Sequence, residues 1–119
     1  MGKSLRDISV LEHMVSYCEE IIQMVDRFGD SYDAFESDSA YRHACAMCIV
    51  QIGELTTRLT DEFRRDYNGM PWHTMKAMRN IAVHNYGSIS LENTWDTIKT
   101  DIPKLLDYGK TILSHMNEK

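Results

Sequence analysis

Apolar residues recur at helical spacing along most of the chain. Ile8, Leu11, Val15, Cys18, Ile22 and Val25 follow one another at steps of three and four, with Glu12, Glu19, Glu20 and Asp26 on other faces. This predicts an amphipathic first helix of about 20 residues, stopped by Arg27-Phe28-Gly29-Asp30. The stretch from Asp30 to Ser39 is acidic and rich in small polar residues. It reads as a loop or short turn, with Ser37 or Ser39 capping the next helix. Tyr41, Ala44, Cys45, Cys48, Ile49, Ile52, Leu55 and Leu59 give that second helix a wide apolar stripe. Gly53 in its middle fits where another backbone comes close. Around Phe63, the segment from Thr60 to Tyr67 reads as a short capped extension or a separate helical turn before Asn68-Gly69. Pro71 then opens a third helix at its first turn, with Trp72, Met75, Met78, Ile81 and Ala82 as its apolar pattern and Gly87 as its stop. Leu91, Trp95, Ile98, Ile102, Leu105, Leu106, Ile112 and Leu113 predict a fourth helix, introduced by Ser90 and kinked at Pro103. No stretch alternates with the period of a strand. The expectation is an all-α antiparallel bundle of four main helices forming a single domain over residues 1–119.

A chain of 119 residues with 43% hydrophobic content has material for one core and not for two. Its net charge of -5 argues against an indiscriminate coater of nucleic acid. The charge is uneven. Residues 1–38 carry a balance of -6, whereas residues 39–86 carry +2. Three cysteines, with no signal peptide and no apolar run near twenty residues, point to a reduced cytoplasmic protein away from membranes. Cys45 and Cys48 form a CxxC inside a helical pattern, without a second pair, and read as core packing instead of a metal site. His13, His43, His73 and His115 share no face at ligand spacing and read as surface or packing residues. Arg64 and Arg65, beside Asp61 and Glu62, read as a solvated face, with a weaker case as phosphate contacts.

Candidate chemistry concentrates in Arg79-Asn80-Ile81-Ala82-Val83-His84-Asn85-Tyr86. Arg79 carries a permanent cation whose fork fits phosphate oxygens, and His84 can give and take a proton near neutral pH. The pair suits phosphoryl transfer on a nucleic acid or nucleotide. On a regular helix Asn80 and His84 share a face, so that Asn80 can orient the imidazole, but Arg79 and His84 stand about 140° apart. Either the arginine curls around, or the helix frays at His84, or the two groups meet those of a second subunit across a symmetric cleft.

The chain resembles the HepT-like toxins, the HEPN-domain ribonucleases partnered by a minimal nucleotidyltransferase antitoxin. The resemblance covers nearly the whole chain. It is carried by Ile52-Gly53-Glu54, Pro71-Trp72, Met78-Arg79-Asn80, Val83-His84-Asn85-Tyr86, Leu91, Trp95-Asp96 and Asp101-Ile102-Pro103. The family's motif, Arg, four residues, His, one residue, Tyr, is complete as Arg79, His84 and Tyr86, with Asn80 as the polar residue after the arginine. One departure is Asn85, where relatives often have glycine. Asparagine also tolerates left-handed backbone.

The resemblance implies cleavage of RNA without a metal or other cofactor, by a homodimer whose facing helices bring two Arg/His sets into one cleft. His84 would then be general base or acid and Arg79 would stabilise charge developing on phosphate. A place near a helix C-terminus favours the protonated imidazole. By the same analogy Tyr86 is where the cognate nucleotidyltransferase antitoxin attaches AMP and silences the nuclease. Two other classes compete, a catalytically silent nucleotide- or partner-binding companion of a nucleotidyltransferase and a plain dimeric scaffold. An intact Arg/His pair argues against the first. The second would leave Arg79 and His84 replaceable.

Overall fold

The computed structural model describes residues 5–77 and 91–117. Every element among them is helical, as the absence of strand alternation predicts. Helix α1 (Leu5–Phe28) runs 24 residues, about 36 Å at the usual rise. Gly29 ends it with φ at +123°, a conformation open to glycine but rarely to other residues. Its N–H reaches back to the Val25 carbonyl at 3.0 Å.

The phase of α1 differs from the expected one at its end. Val10, Leu11, Met14, Val15, Cys18 and Ile21 are buried, while Ile22 is 37% exposed. From Cys18, steps of three and four are both apolar, and sequence spacing alone cannot choose between Ile21 and Ile22. The choice follows from α1 packing against two neighbours, α3 (Ser39–Thr56) and α7 (Ile102–Asn117).

Contacts far apart in sequence fix the direction of both neighbours. Along α3 the pairs run from Tyr41 with Gly29, through Cys48 with Glu20, to Thr60 just beyond it with Asp7. Lys99, just before α7, pairs with Asp30, Lys110 with Glu19, and Gly109 lies against Val15 and Leu11. In each series the earliest residue meets the end of α1 and the later ones meet positions nearer its start, so both helices run antiparallel to α1.

The region from Asp30 to Ser39 is not a plain loop. It contains α2 (Tyr32–Ser37), capped by Ser31, whose Oγ accepts from the Ala34 N–H at 3.1 Å. Phe35 is driven into the core at 1% exposure, and this single large apolar anchor explains why so polar a stretch becomes helical. The cap of α3 is Asp38, not Ser37 or Ser39. Its carboxylate accepts from the N–H groups of Ala40 and Tyr41. Helix α4 (Asp61–Asp66) is the separate turn expected around Phe63, capped by the Thr60 hydroxyl.

Helical residues 72–77 form α5 as described, opened by Pro71, whose carbonyl accepts from the Met75 N–H at 3.0 Å. Trp72 and Met75 face inward, while His73, Thr74, Lys76 and Ala77 face out. The last helical stretch starts as α6 (Leu91–Asp96), passes through a π turn (Thr97–Asp101) and continues as α7. The expected disturbance at Pro103 takes this form. Proline has no N–H to donate, and its ring crowds the carbonyl four residues earlier. The turn before it widens, with the Ile102 N–H bonded to the Thr97 carbonyl. The expected apolar run of the third helix at Met78, Ile81 and Ala82, its stop at Gly87 and the cap at Ser90 lie outside the described residues.

Two aromatic clusters sit where these elements meet. In one, Tyr41 stacks on Phe28 at 5.1 Å and meets Phe35 edge-on at 5.2 Å, and Trp95 packs 5.3 Å from Phe35. In the other, Phe63 lies 4.9 Å from Tyr67 and 6.1 Å from Trp72, and Trp72 is 6.4 Å from Tyr108. No helix among the described residues is long and apolar enough to cross a membrane.

Candidate active site

Arg79, Asn80, His84 and Tyr86 lie outside the described residues, so the structure speaks to the elements on either side of them. The chain enters this segment from α5 and leaves it into α6. Arg79 is two residues past Ala77 in the chain. His84 stands seven residues from both Ala77 and Leu91.

The entry is anchored by Trp72. Its indole N–H donates to the Tyr67 carbonyl at 2.7 Å, and its ring is 6% exposed. An indole on this scale brings a large apolar area with one polar handle, and here both are satisfied. The exit is anchored by Trp95, one turn into α6, against Phe35 and edge-on to Tyr41 at 6.3 Å. The Lys99 ammonium lies 5.8 Å from the Trp95 ring centre and bonds Asp30 at 2.6 Å. Pro71-Trp72 and Trp95 are thus placed as the two mooring points of the segment that carries the motif.

The other chemistry-bearing residues fall into the roles that spacing suggests. Cys18, Cys45 and Cys48 are free thiols in the core between α1 and α3. Burial, then neighbouring Cys48 and Glu19, pushes the Cys18 thiol up to about 12. Burial and Cys48 do the same to Cys45. Burial, the charge of Glu20 and a hydrogen bond to it raise Cys48 to about 11. A buried thiol held protonated at neutral pH is a poor nucleophile, and these cysteines pack between α1 and α3. Among the described residues no group of three His, Cys, Asp or Glu could hold a metal ion. His13, His43, His73 and His115 are all exposed, and the His13 Nδ1 bonds the Ser9 carbonyl one turn earlier at 2.8 Å.

The weaker case for Arg64 as a phosphate contact loses ground. Its guanidinium donates to the Thr56 carbonyl at 3.1 Å and pairs with Asp61, so much of its donor fork is committed within the fold. Arg58, Arg65 and Lys76 are exposed.

Three positions that spacing did not single out help to hold the entry. Asp7 is fully buried, and its carboxylate accepts from both the N–H and the hydroxyl of Thr60, at 2.9 and 2.8 Å. This pins the start of α1 to the cap of α4. Tyr108 grips Gly69 in the turn before α5. Gly109 permits α7 to close on α1, since a Cβ there would lie 2.7 Å from Val15 Cγ2. A glycine within an apolar helical pattern was the one available signal for the last of these.

A family model described as Ribonuclease HepT-like matches residues 14–112. The chain is 33% identical over 103 residues to "Putative RNase TTE0752" of Caldanaerobacter subterraneus subsp. tengcongensis, covering 87% of this chain and 90% of that protein. It is 27% identical over 115 residues to "Putative RNase MJ0125" of Methanocaldococcus jannaschii, covering 96% and 97% respectively. With "Probable ribonuclease HepT" of Thermococcus cleftensis it shares 28% over 88 residues, 72% of this chain and 80% of that one. No solved structure matches the chain.

Proposed function

The chain belongs to the HepT-like family, and from that membership we propose that it is a ribonuclease of HEPN type, an endoribonuclease that cleaves RNA without a metal ion. The observation that carries this reading is the intact spacing Arg79, His84, Tyr86 within the matched residues 14–112. His84 moves a proton at the ribose 2′-hydroxyl or the leaving oxygen, and Arg79 stabilises the charge that grows on the phosphate. Asn80 orients the imidazole. Two copies of the chain face each other, so that two Arg/His sets share one cleft, which answers the 140° separation expected on a single helix.

The protein acts in the cytoplasm as the toxin of a toxin–antitoxin pair, and the antitoxin is a minimal nucleotidyltransferase. That enzyme directs the Tyr86 phenol oxygen at the α-phosphorus of ATP. A phosphate ester forms, pyrophosphate leaves, and the phenol proton passes to solvent or a base of the enzyme. The product carries a bulky base and a negative charge two residues from His84. It competes with RNA phosphate for Arg79 and obstructs the cleft.

Mass spectrometry of the protein co-expressed with a neighbouring nucleotidyltransferase tests this control. An adduct of AMP mass on Tyr86, absent from Tyr86→Phe, is expected. Modification solely elsewhere overturns it.

A further inference from the structure

The turn that launches α5 is held by a side chain from the far end of the chain. The Gly69 N–H donates to the Tyr108 hydroxyl at 2.9 Å. A Cβ on Gly69 would lie 2.7 Å from Tyr108 Cε1 and Cζ and 2.8 Å from its hydroxyl oxygen. Gly29 is the one glycine with positive φ among the described residues, so the backbone at Gly69 does not itself require glycine. The tyrosine ring requires it.

The backbone beside Tyr108 is in turn packed closely on α1. The neighbouring Gly109 sits against Val15 and Leu11 of α1, too close for a Cβ. On the other side of the turn, the Trp72 indole donates to the Tyr67 carbonyl and its ring lies 6.4 Å from that of Tyr108. One continuous set of contacts therefore runs from α1 through α7 and the turn at residues 67–72 to the first residue of α5.

We propose that Tyr108 is a positioning residue for RNA cleavage, fixing the turn from which α5 delivers Arg79. This rests on the ribonuclease reading above. The eight steps from Gly69 to Ala77 span about 12 Å if counted at helical rise, so a tilt of about 5° at the turn moves the far end by about 1 Å. A displacement of that size at a reacting group lowers rates by up to about 100-fold. Binding of RNA is spread over many phosphate contacts and is far less sensitive to the aim of one arginine. The signature of the clasp is thus a fall in kcat at nearly constant KM.

The experiment uses the full chain and an RNA oligonucleotide that the wild type cleaves, with His84→Ala as the inactive reference. Tyr108→Phe keeps the ring and removes the hydroxyl, while Gly69→Ala keeps the hydroxyl and evicts the ring. Both are expected to lower kcat about tenfold with KM within about twofold, and to speed hydrogen exchange across residues 69–77. Tyr108→Leu lacks the atoms that would strike an alanine at 69. Hence Gly69→Ala combined with Tyr108→Leu should be no slower than Tyr108→Leu alone.

Wild-type kcat in Tyr108→Phe, with faster exchange at Gly69 showing the bond broken, overturns the positioning role and leaves the ribonuclease reading intact. Additive losses from Gly69→Ala and Tyr108→Leu overturn the positioning role in the same way. A wild-type chain that cleaves no RNA overturns the ribonuclease reading and this inference with it.

Discussion

The two aromatic clusters use the same device with opposite settings. Each includes a phenylalanine and sets a tryptophan near a tyrosine whose hydroxyl holds the backbone of a glycine. In the first, the Tyr41 hydroxyl donates to the Gly29 carbonyl at 3.1 Å, and Tyr41 is fully buried. In the second, the Tyr108 hydroxyl accepts from the Gly69 N–H, and Tyr108 is only partly buried. The first belongs to the core and anchors α6, where the chain leaves the motif-bearing segment. The second also reaches the core through Phe63 and Trp72, but its tyrosine sits at the margin and holds the turn before α5, where the chain enters it. The exit is therefore held by a tyrosine wholly inside the core, and the entry by one at its margin.

The largest effect expected is alkaline unfolding. Burial raises Tyr41 to about 12, assisted by Cys45 and Asp30, and the three core thiols are raised to about 11 or 12 from an ordinary 9.0. The folded state holds these protons more tightly than the unfolded chain does, so their contribution is complete below about pH 9 and is lost as pH rises towards 12. A pH series of thermal melts should be flat on this account at neutral pH and fall steeply above pH 9. Thiol reagents should react at neutral pH only after denaturation. Rapid labelling of the native protein would contradict the buried-core description.

Next in size is Tyr41→Ala, which removes a fully buried ring from the first cluster and should cost about 3–5 kcal/mol in urea unfolding. A loss below about 1 kcal/mol would mean that this cluster is no more structural than the second. Asp7→Ala strips the partner from the Thr60 N–H and hydroxyl and should cost about 1–3 kcal/mol. Smallest is Lys99→Ala. It breaks an exposed pair with Asp30 and a cation–π contact with Trp95, worth about 0–1 kcal/mol. A large loss there would show that the exit depends on surface charge more than on the core.

What could be read from the sequence divides along similar lines. The long helices, the capped turn at α4, the opening at Pro71 and the disturbance at Pro103 are encoded by residues within a turn or two of one another, and each is legible. Helix α2 is not, because one buried ring, Phe35, outweighs a polar stretch only once α3 and α6 are in place to receive it. The preference for Ile21 over Ile22 depends on α1 having two neighbours. Asp7 with Thr60, and Gly69 with Tyr108, are hydrogen bonds between residues 53 and 39 positions apart, and such partners leave no local pattern. For the candidate site the balance is reversed. Arg79, Asn80, His84 and Tyr86 stand out as a motif, while the structure supplies the moorings at Trp72 and Trp95 and not the site itself.

The central claim, cleavage of RNA through His84, is tested most directly by comparing the purified wild type with His84→Ala on RNA in the presence of a chelator. The wild type should cut RNA with the chelator present. His84→Ala should lose that activity while its helical signal and melting temperature stay nearly unchanged, since a residue whose role is chemical rather than core packing can be removed without opening a cavity. Full cleavage by His84→Ala, or no cleavage by the wild type, would contradict the account.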